Sequence, residues 1–426
     1  MQTFDRLESE VRGYIRHFPV LFNRAKGSFL YDDQEKEYID FFAGAGTLNY
    51  GHNNDLVTPA LIEYLQSDGI LHGLDMATTA KKKFLEKIES AILEPRHMTY
   101  RVQFSGPTGS NAVETALKLV RKVKQRSNIV AFTNAFHGLT MGAMGVTGNA
   151  FYRDESFINR ANVTFMPFDG YFGKDVDTSE YFRKFLDDNS SGVDLPAAVI
   201  LETVQAEGGV NVASDKWLQS IEQICRDYDI LLIVDDIQVG NGRTGEFFSF
   251  ERAGLNPDVV VLSKSIGGGL PLSLVLIRPE IDQWKPGEHT GTFRGNNLAF
   301  IASTQLLGYW DNDNLRDAVK YKETVLRGGL EKILEKYPEL NGSIRGRGLI
   351  YGLHIPFRGF CEDVSARAFE KDLVIELAGA EDNVLKFLPP LTIEEDTLER
   401  GIGIIGEAIG EVLEERNAMK KGEIIE

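Results

Sequence analysis

The chain has 426 residues, too many for one simple core, so about two domains are expected. Hydrophobic residues make up 42% of it, which excludes a disordered chain and fits a soluble folded one. The 63 acidic against 46 basic side chains leave a net charge of −17, and with no basic stripe to offset it this argues against nucleic-acid or membrane-surface partners.

The N-terminus, MQTFDRLESEVRGY, is charged and lacks an apolar core, so no signal peptide is expected. No apolar run reaches membrane-spanning length. Cys225 and Cys361 allow at most one bridge and form no CxxC pattern, so a reducing cytoplasm and no metal site are expected. The first forty or so residues resemble a helix followed by a hairpin, SFLYDDQEKEYIDF.

In GPTGSNAVETALKLVRK, Val113, Ala116, Leu117 and Val120 recur at helical spacing, with Thr108, Gly109, Ser110 and Asn111 at the helix mouth. A helix start offers N–H groups to a phosphate, Gly109 permits close approach and Ser110 adds a hydroxyl. The same residues would equally serve as an ordinary Ser/Thr cap. IVAF (129–132) is a short strand. Phe136, in the NAFHG that follows, could stack on a flat ring or belong to the core.

AAVIL (197–201) is the next strand, with Glu202 directly after it. A helix follows with Trp217, Leu218, Ile221, Ile224, Cys225 and Tyr228 on one face and Ser214 or Asp215 to cap it. ILLIV (230–234) leads into Asp235, and DVVVL (258–262) leads through Ser263 to Lys264 and the glycines Gly267 to Gly269. Such strands alternating with helices indicate an α/β fold with a mostly parallel sheet, whose ligands gather outside the carboxyl ends of the strands. Turns favour acidic residues, which suffices to explain Asp236. Asp235 follows a wholly apolar strand and precedes GNGRTG, and a buried carboxylate needs a cationic partner. Lys264, at the exit of a buried strand, is poorly placed as a solvated charge, and burial frees its amine to act as a nucleophile. Such an amine can form a Schiff base with an aldehyde, of which pyridoxal phosphate is the common biological example, and Asp235 would keep that cofactor's pyridine nitrogen protonated. Ile237 could close the second face of the ring, and Gln238 could donate to its hydroxyl.

Beyond Asp311 the pattern changes to long charged helices (314–337 and 395–415) with short strands between them, and the tail ERNAMKKGEIIE is expected to fray. The expected division is an N-terminal segment (1–45) packing with a small α+β C-terminal domain (311–426), and a large domain (46–310) between them.

The segments TGSNAVETALKLVR, FHGLTMGA, VILETVQAEGGV, LLIVDDIQVGNGRTG, LSKSIGGGLPL and HTGTFRGNN together resemble the class III, ω-amino-acid branch of the fold-type I pyridoxal-phosphate-dependent aminotransferases, in that family's order. The resemblance implies pyridoxal 5'-phosphate as cofactor and small-molecule amino donors and acceptors. It implies Lys264 as the Schiff-base lysine, Asp235 on the pyridine nitrogen, and Gly109, Ser110 and Asn111 around the phosphate. It further implies Phe136 and Ile237 on the two ring faces and Gln238 at the ring oxygen. Thr292 would reach the phosphate of a neighbouring subunit, making a homodimer with shared sites or a tetramer of such dimers. Glu202 stands where relatives use a glutamate near the substrate, often to manage an arginine.

AGAGTLNYGHNN, GILHGLDMAT, FSGPTGSNAVE, DDIQVGNGRTGEFFSFE and WKPGEHTGTFRGNNLAF are similar to the branch that exchanges amino groups between diaminobutyrate and 2-oxoglutarate in ectoine biosynthesis. The alternatives are another ω-amino-acid transaminase, acting on ornithine, 4-aminobutyrate or diaminobutyrate in another pathway, or an aminomutase or racemase on the same cofactor. Three departures stand out. Asn241 replaces that branch's usual cysteine. SKSIGGGLP is shorter than its usual lysine loop. Lys386, in LKFLPPLT, stands where ornithine-type relatives carry an arginine, although the diaminobutyrate branch shares the lysine. Lysine cannot form a two-pronged contact with a carboxylate, and Lys386 could be either the substrate's cation or a surface residue.

Overall fold

A computed structural model describes residues 1–154, 156–157 and 162–423, with the backbone alone over 420–423. Three N-terminal strands, β1 (Phe22–Lys26), β2 (Phe29–Asp32) and β3 (Glu37–Asp40), are antiparallel neighbours. The central run supplies β4 (Arg101–Phe104), β5 (Ile129–Phe132), β6 (Val163–Met166) and β7 (Ala198–Leu201). A short antiparallel pair, β8 (Val204–Gln205) and β9 (Asn211–Val212), comes next, followed by β10 (Leu231–Asp235), β11 (Val259–Leu262) and β12 (Leu274–Ile277). The C-terminal part supplies β13 (Ser343–Arg347), β14 (Ile350–His354), β15 (Leu373–Val374), β16 (Glu376–Ala378) and β17 (Val384–Phe387).

The large sheet has the order β4-β12-β11-β10-β7-β5-β6. It is parallel except at β12, which runs against both of its neighbours. Its central strands β7, β10 and β11 are apolar at every position but Asp235, which ends β10, because both faces are covered. Pleating sends alternate residues to opposite sides. Leu231 and Ile233 pack in one core with Val113, Ala116 and Val120 of the helix Gly109–Lys124. Leu232 and Val234 pack in the other with Trp217, Leu218 and Ile221 of the helix Asp215–Asp227. Ser214 caps that second helix, its hydroxyl accepting from the Trp217 amide at 3.3 Å.

The C-terminal strands form a second sheet, β13-β14-β17-β16, and β15 pairs in parallel with β3 of the N-terminal segment. Arg243 joins the two halves of the chain. Fully buried, it donates to the Leu349 carbonyl at 2.8 Å, the Pro389 carbonyl at 2.5 Å and Asn49 Oδ1 at 2.7 Å. The charged tail differs from expectation. The last helix runs Glu395–Glu423, and Arg416 fixes its distal part by donating to Asp363 at 2.6 Å. Residues 424–426 of that tail lie outside the described residues. No helix among the described residues is long and apolar enough to cross a membrane. Cys225 and Cys361 are buried and unbridged.

Candidate active site

Strands β11, β10 and β7 are adjacent, so the residues that end them open onto one crevice. A cavity of about 160 Å³ lies there, with Lys264, Asp235 and Glu202 in its wall. Gly109, Ser110, Phe136, Ile237 and Gln238 line it as well.

Lys264 opens a tight turn, Lys264–Gly267, with φ 51°. A side chain is costly in that left-handed region, and such strain persists only where the surroundings impose it. The Lys264 amine donates to the Ala45 carbonyl at 2.8 Å. Ala45 belongs to a left-handed run, Ala43 to Gly46, with φ between 46° and 81°. Asp40 holds the start of that run, accepting from the amides of Phe42 at 2.8 Å and Ala43 at 2.7 Å. Burial pushes the lysine amine below its ordinary pKa, with Glu207 opposing.

Asp235 is buried, accepting from His137 Nδ1 at 2.7 Å and from the Ile237 amide at 3.1 Å. The carboxylate therefore places the ring hydrogen of His137 on Nδ1. Nε2 of His137 is buried without a partner. Glu202 accepts from the Phe136 amide at 3.1 Å. Burial, reinforced by the charge of Asp235, raises its carboxyl well above the ordinary value.

At the helix start, Ser110 Oγ accepts from the Leu139 amide at 3.2 Å. Gly138, with φ 119°, lies so close that a Cβ there would meet Ser110 Oγ at 2.1 Å. A Cβ on Gly109 would meet Ile237 Cδ1 at 2.9 Å. Asn111 is not among the residues that line the cavity. Its side-chain oxygen closes a capping box, accepting from the Thr108 amide at 3.2 Å and the Thr108 hydroxyl at 3.0 Å. Gln238 Nε2 donates to the Ala45 carbonyl at 2.7 Å, and its buried Oε1 has no hydrogen-bond partner among the described residues. It meets the cavity with an acceptor as well as a donor. Thr292 is exposed on a loop, its carbonyl 2.8 Å from His72 Nε2, and does not line this cavity.

Lys386 is no surface residue. It is fully buried, 2.7 Å from Glu207 Oε1 and 2.9 Å from Glu376 Oε2. The glutamate that meets this cation from the cavity wall is Glu207, not Glu202. The sequence reading missed Glu207, His137 and Glu376. Glu207 sits in QAEGG, five residues past Glu202, and His137 directly follows Phe136, so both lie inside segments already singled out.

This set of groups fits pyridoxal phosphate. An amine stands ready for its aldehyde and a buried carboxylate for its pyridine nitrogen. The helix start at Gly109 and Ser110 supplies N–H and hydroxyl groups for the phosphate, and Phe136 and Ile237 supply apolar faces for the ring. The buried, unpaired Gln238 Oε1 and His137 Nε2 give polar contacts still to be made. No cluster of metal-binding side chains occurs among the described residues.

A family model described as aminotransferase class-III matches residues 12–409. A diaminobutyrate–2-oxoglutarate transaminase of Wolinella succinogenes is 69% identical over 424 residues, covering 100% of this chain and 99% of the relative. A relative of the same name from Halalkalibacterium halodurans is 52% identical over 97% of each chain. Among solved structures, the ornithine aminotransferase of Toxoplasma gondii superposes with a TM-score of 0.84 at 26% identity, covering 97% of this chain and 95% of that one.

Proposed function

This chain belongs to the class-III aminotransferases, and we propose that it exchanges an amino group between L-2,4-diaminobutyrate and 2-oxoglutarate, interconverting them with L-aspartate 4-semialdehyde and L-glutamate. The observation that carries the substrate assignment is the set of full-length relatives bearing that name, at up to 69% identity. The same reading puts the enzyme at the first committed step of ectoine synthesis, in the cytoplasm.

When bound, pyridoxal phosphate supplies an aldehyde that takes up the amino group and a ring that spreads the negative charge left on a deprotonated carbon. Lys264 is the proposed nucleophile toward that aldehyde and, once released, the base that moves the substrate proton. Its lowered pKa leaves more of the amine unprotonated for both tasks. Asp235 holds positive charge on the pyridine nitrogen, and His137 fixes its carboxylate from behind. Glu202 fills the adjoining strand end, where burial and the neighbouring Asp235 favour its uncharged form. Gly109 and Ser110 bind phosphate, while Phe136 and Ile237 clamp the ring. Lys386 is the proposed cation for the carboxylate of the keto acid, with Glu207 as its counter-ion when that carboxylate is absent. A single lysine suits such an exchange, because an ammonium gives up one partner and takes another without the fixed fork of arginine.

With 2-oxoglutarate as acceptor, glutamate formation should be fastest with diaminobutyrate among diaminobutyrate, ornithine and 4-aminobutyrate. A faster rate with either of the others would move the assignment to that substrate, and turnover without any keto acid would indicate an aminomutase.

The site is proposed to be completed by a second copy of the chain, whose Thr292 would reach the phosphate. Leu71, Leu74, Met76 and Phe293 are exposed around that loop, with His72 packed edge-on against Phe293. Apolar surface of this kind marks an interface. Sedimentation should give a dimer or larger, and a monomer with full activity would rule out the shared site.

A further inference from the structure

Two carboxylates, not one, sit on Lys386. The register of the C-terminal sheet explains the second: Glu376 on β16 stands directly opposite Lys386 on β17, while β14 offers Gly352 on the lysine's other side. Cross-strand partners of this kind bring side chains on one face into contact. Glu376 is 5% exposed and its Oε1 accepts from the Tyr14 hydroxyl at 2.5 Å. Its Oε2 lies 2.9 Å from Lys386 Nζ, as an ion pair. Of this cluster Glu207 lines the cavity, while Lys386 and Glu376 stand behind it. The lysine is therefore held from behind as well as from the front.

The charges of the substrates give this arrangement a consequence. 2-Oxoglutarate brings two negative charges, whereas diaminobutyrate at neutral pH brings one net positive charge. Lys386 with both glutamates ionised carries a net negative charge, which favours the diamino acid and opposes the dicarboxylate. With Glu376 neutral, the cluster loses that bias. Burial, only partly offset by Lys386, raises the Glu376 carboxyl, and a second negative charge nearby would favour its neutral form further. Glu207 behaves oppositely. Burial opposes its charge, but Lys386 and Lys264 outweigh burial and keep it ionised.

We propose that Glu376 is a specificity-determining residue: as the second carboxylate on Lys386, it sets the charge balance that lets one pocket accept both a dicarboxylate and a cationic diamino acid. The inference rests on the substrate pair proposed above. Glu376 acts through Lys386 and is a positioning residue, not a catalytic one. Were its role only to hold the hairpin together, its loss would impair both substrates alike.

The test uses the cofactor-loaded enzyme and Glu376→Gln, which keeps the shape and removes the charge. Calorimetry with glutarate, an unreactive dicarboxylate, reads the site apart from turnover. In E376Q, the KM for 2-oxoglutarate and the Kd for glutarate should fall about five- to tenfold and the KM for diaminobutyrate should rise by a similar factor. Shifts in the same direction for both substrates, or an unchanged glutarate affinity, would overturn the proposal. Tyr14→Phe provides a second route, since Tyr14 is half exposed and its hydroxyl favours the charged form of Glu376. Shifts of the same signs but only about two- to threefold are expected there. If E376Q does not fold, the absence of opposite shifts in Y14F overturns the proposal instead. Tighter glutarate binding in an enzyme that ignores diaminobutyrate would uphold the charge role of Glu376 and reject the substrate assignment.

Discussion

Replacing Lys264 with alanine is expected to lower turnover by at least about 10⁴-fold, because one amine is proposed to serve as both covalent nucleophile and proton carrier. The fold should survive. Among the described residues this side chain hydrogen-bonds to the Ala45 carbonyl alone, and alanine removes an amine that burial already disfavours as a cation. The left-handed backbone at position 264 is equally costly for alanine and for lysine, so strain does not change. Denaturation midpoints of K264A close to those of the parent, together with loss of the visible absorbance of the covalently held cofactor, would assign the defect to chemistry. Turnover within about a hundredfold of the parent would show that another group carries the proton, since loss of a general base alone costs that much.

Asp235→Ala should cost about 10² to 10³ in turnover, the range found when a fixed charge or donor is removed from a developing transition state. The physical reason is that this buried carboxylate is the group proposed to supply negative charge to the pyridine nitrogen. Its loss also strands two donors, His137 Nδ1 and the Ile237 amide, which lie 2.7 and 3.1 Å from it. Asp235→Asn separates the two effects. It keeps the shape and an acceptor oxygen but lacks the charge, so it should lose nearly as much turnover with a smaller loss of stability. Near-parent rates in D235N would mean that the shape of the site matters and the charge does not.

Much of this site was legible in the sequence because the large sheet is buried on both faces. Its strands form uninterrupted apolar runs, against which Glu202, Asp235 and Lys264 stand out as ionisable residues at the strand ends. The helix Gly109–Lys124 declared itself by spacing. The same logic, applied to VLKFL, would have placed Lys386 indoors: Val384, Leu385 and Phe387 are all buried around it. Its partners were harder to see. Glu376 lies opposite Lys386 only through strand register, and Tyr14 approaches from the far end of the chain. Glu202 and Glu207 are five residues apart, and local sequence does not say which turns toward the cation. Asn111 appeared free to bind phosphate because a capping box and a phosphate cup use the same residue types at a helix start. The left-handed run from Ala43 to Gly46 has no sequence signature at its alanines. Their conformation is imposed by Asp40 and by the contacts of Lys264 and Gln238 with the Ala45 carbonyl.

The most direct measurement is a single half-reaction. Diaminobutyrate is added without any keto acid to the cofactor-loaded enzyme, and the visible absorbance is followed to completion. The account predicts that absorbance at Lys264 is lost with release of one equivalent of aspartate 4-semialdehyde per site, and that 2-oxoglutarate then restores it with formation of glutamate. An unchanged spectrum with diaminobutyrate, alongside a full response to ornithine or 4-aminobutyrate, would contradict it.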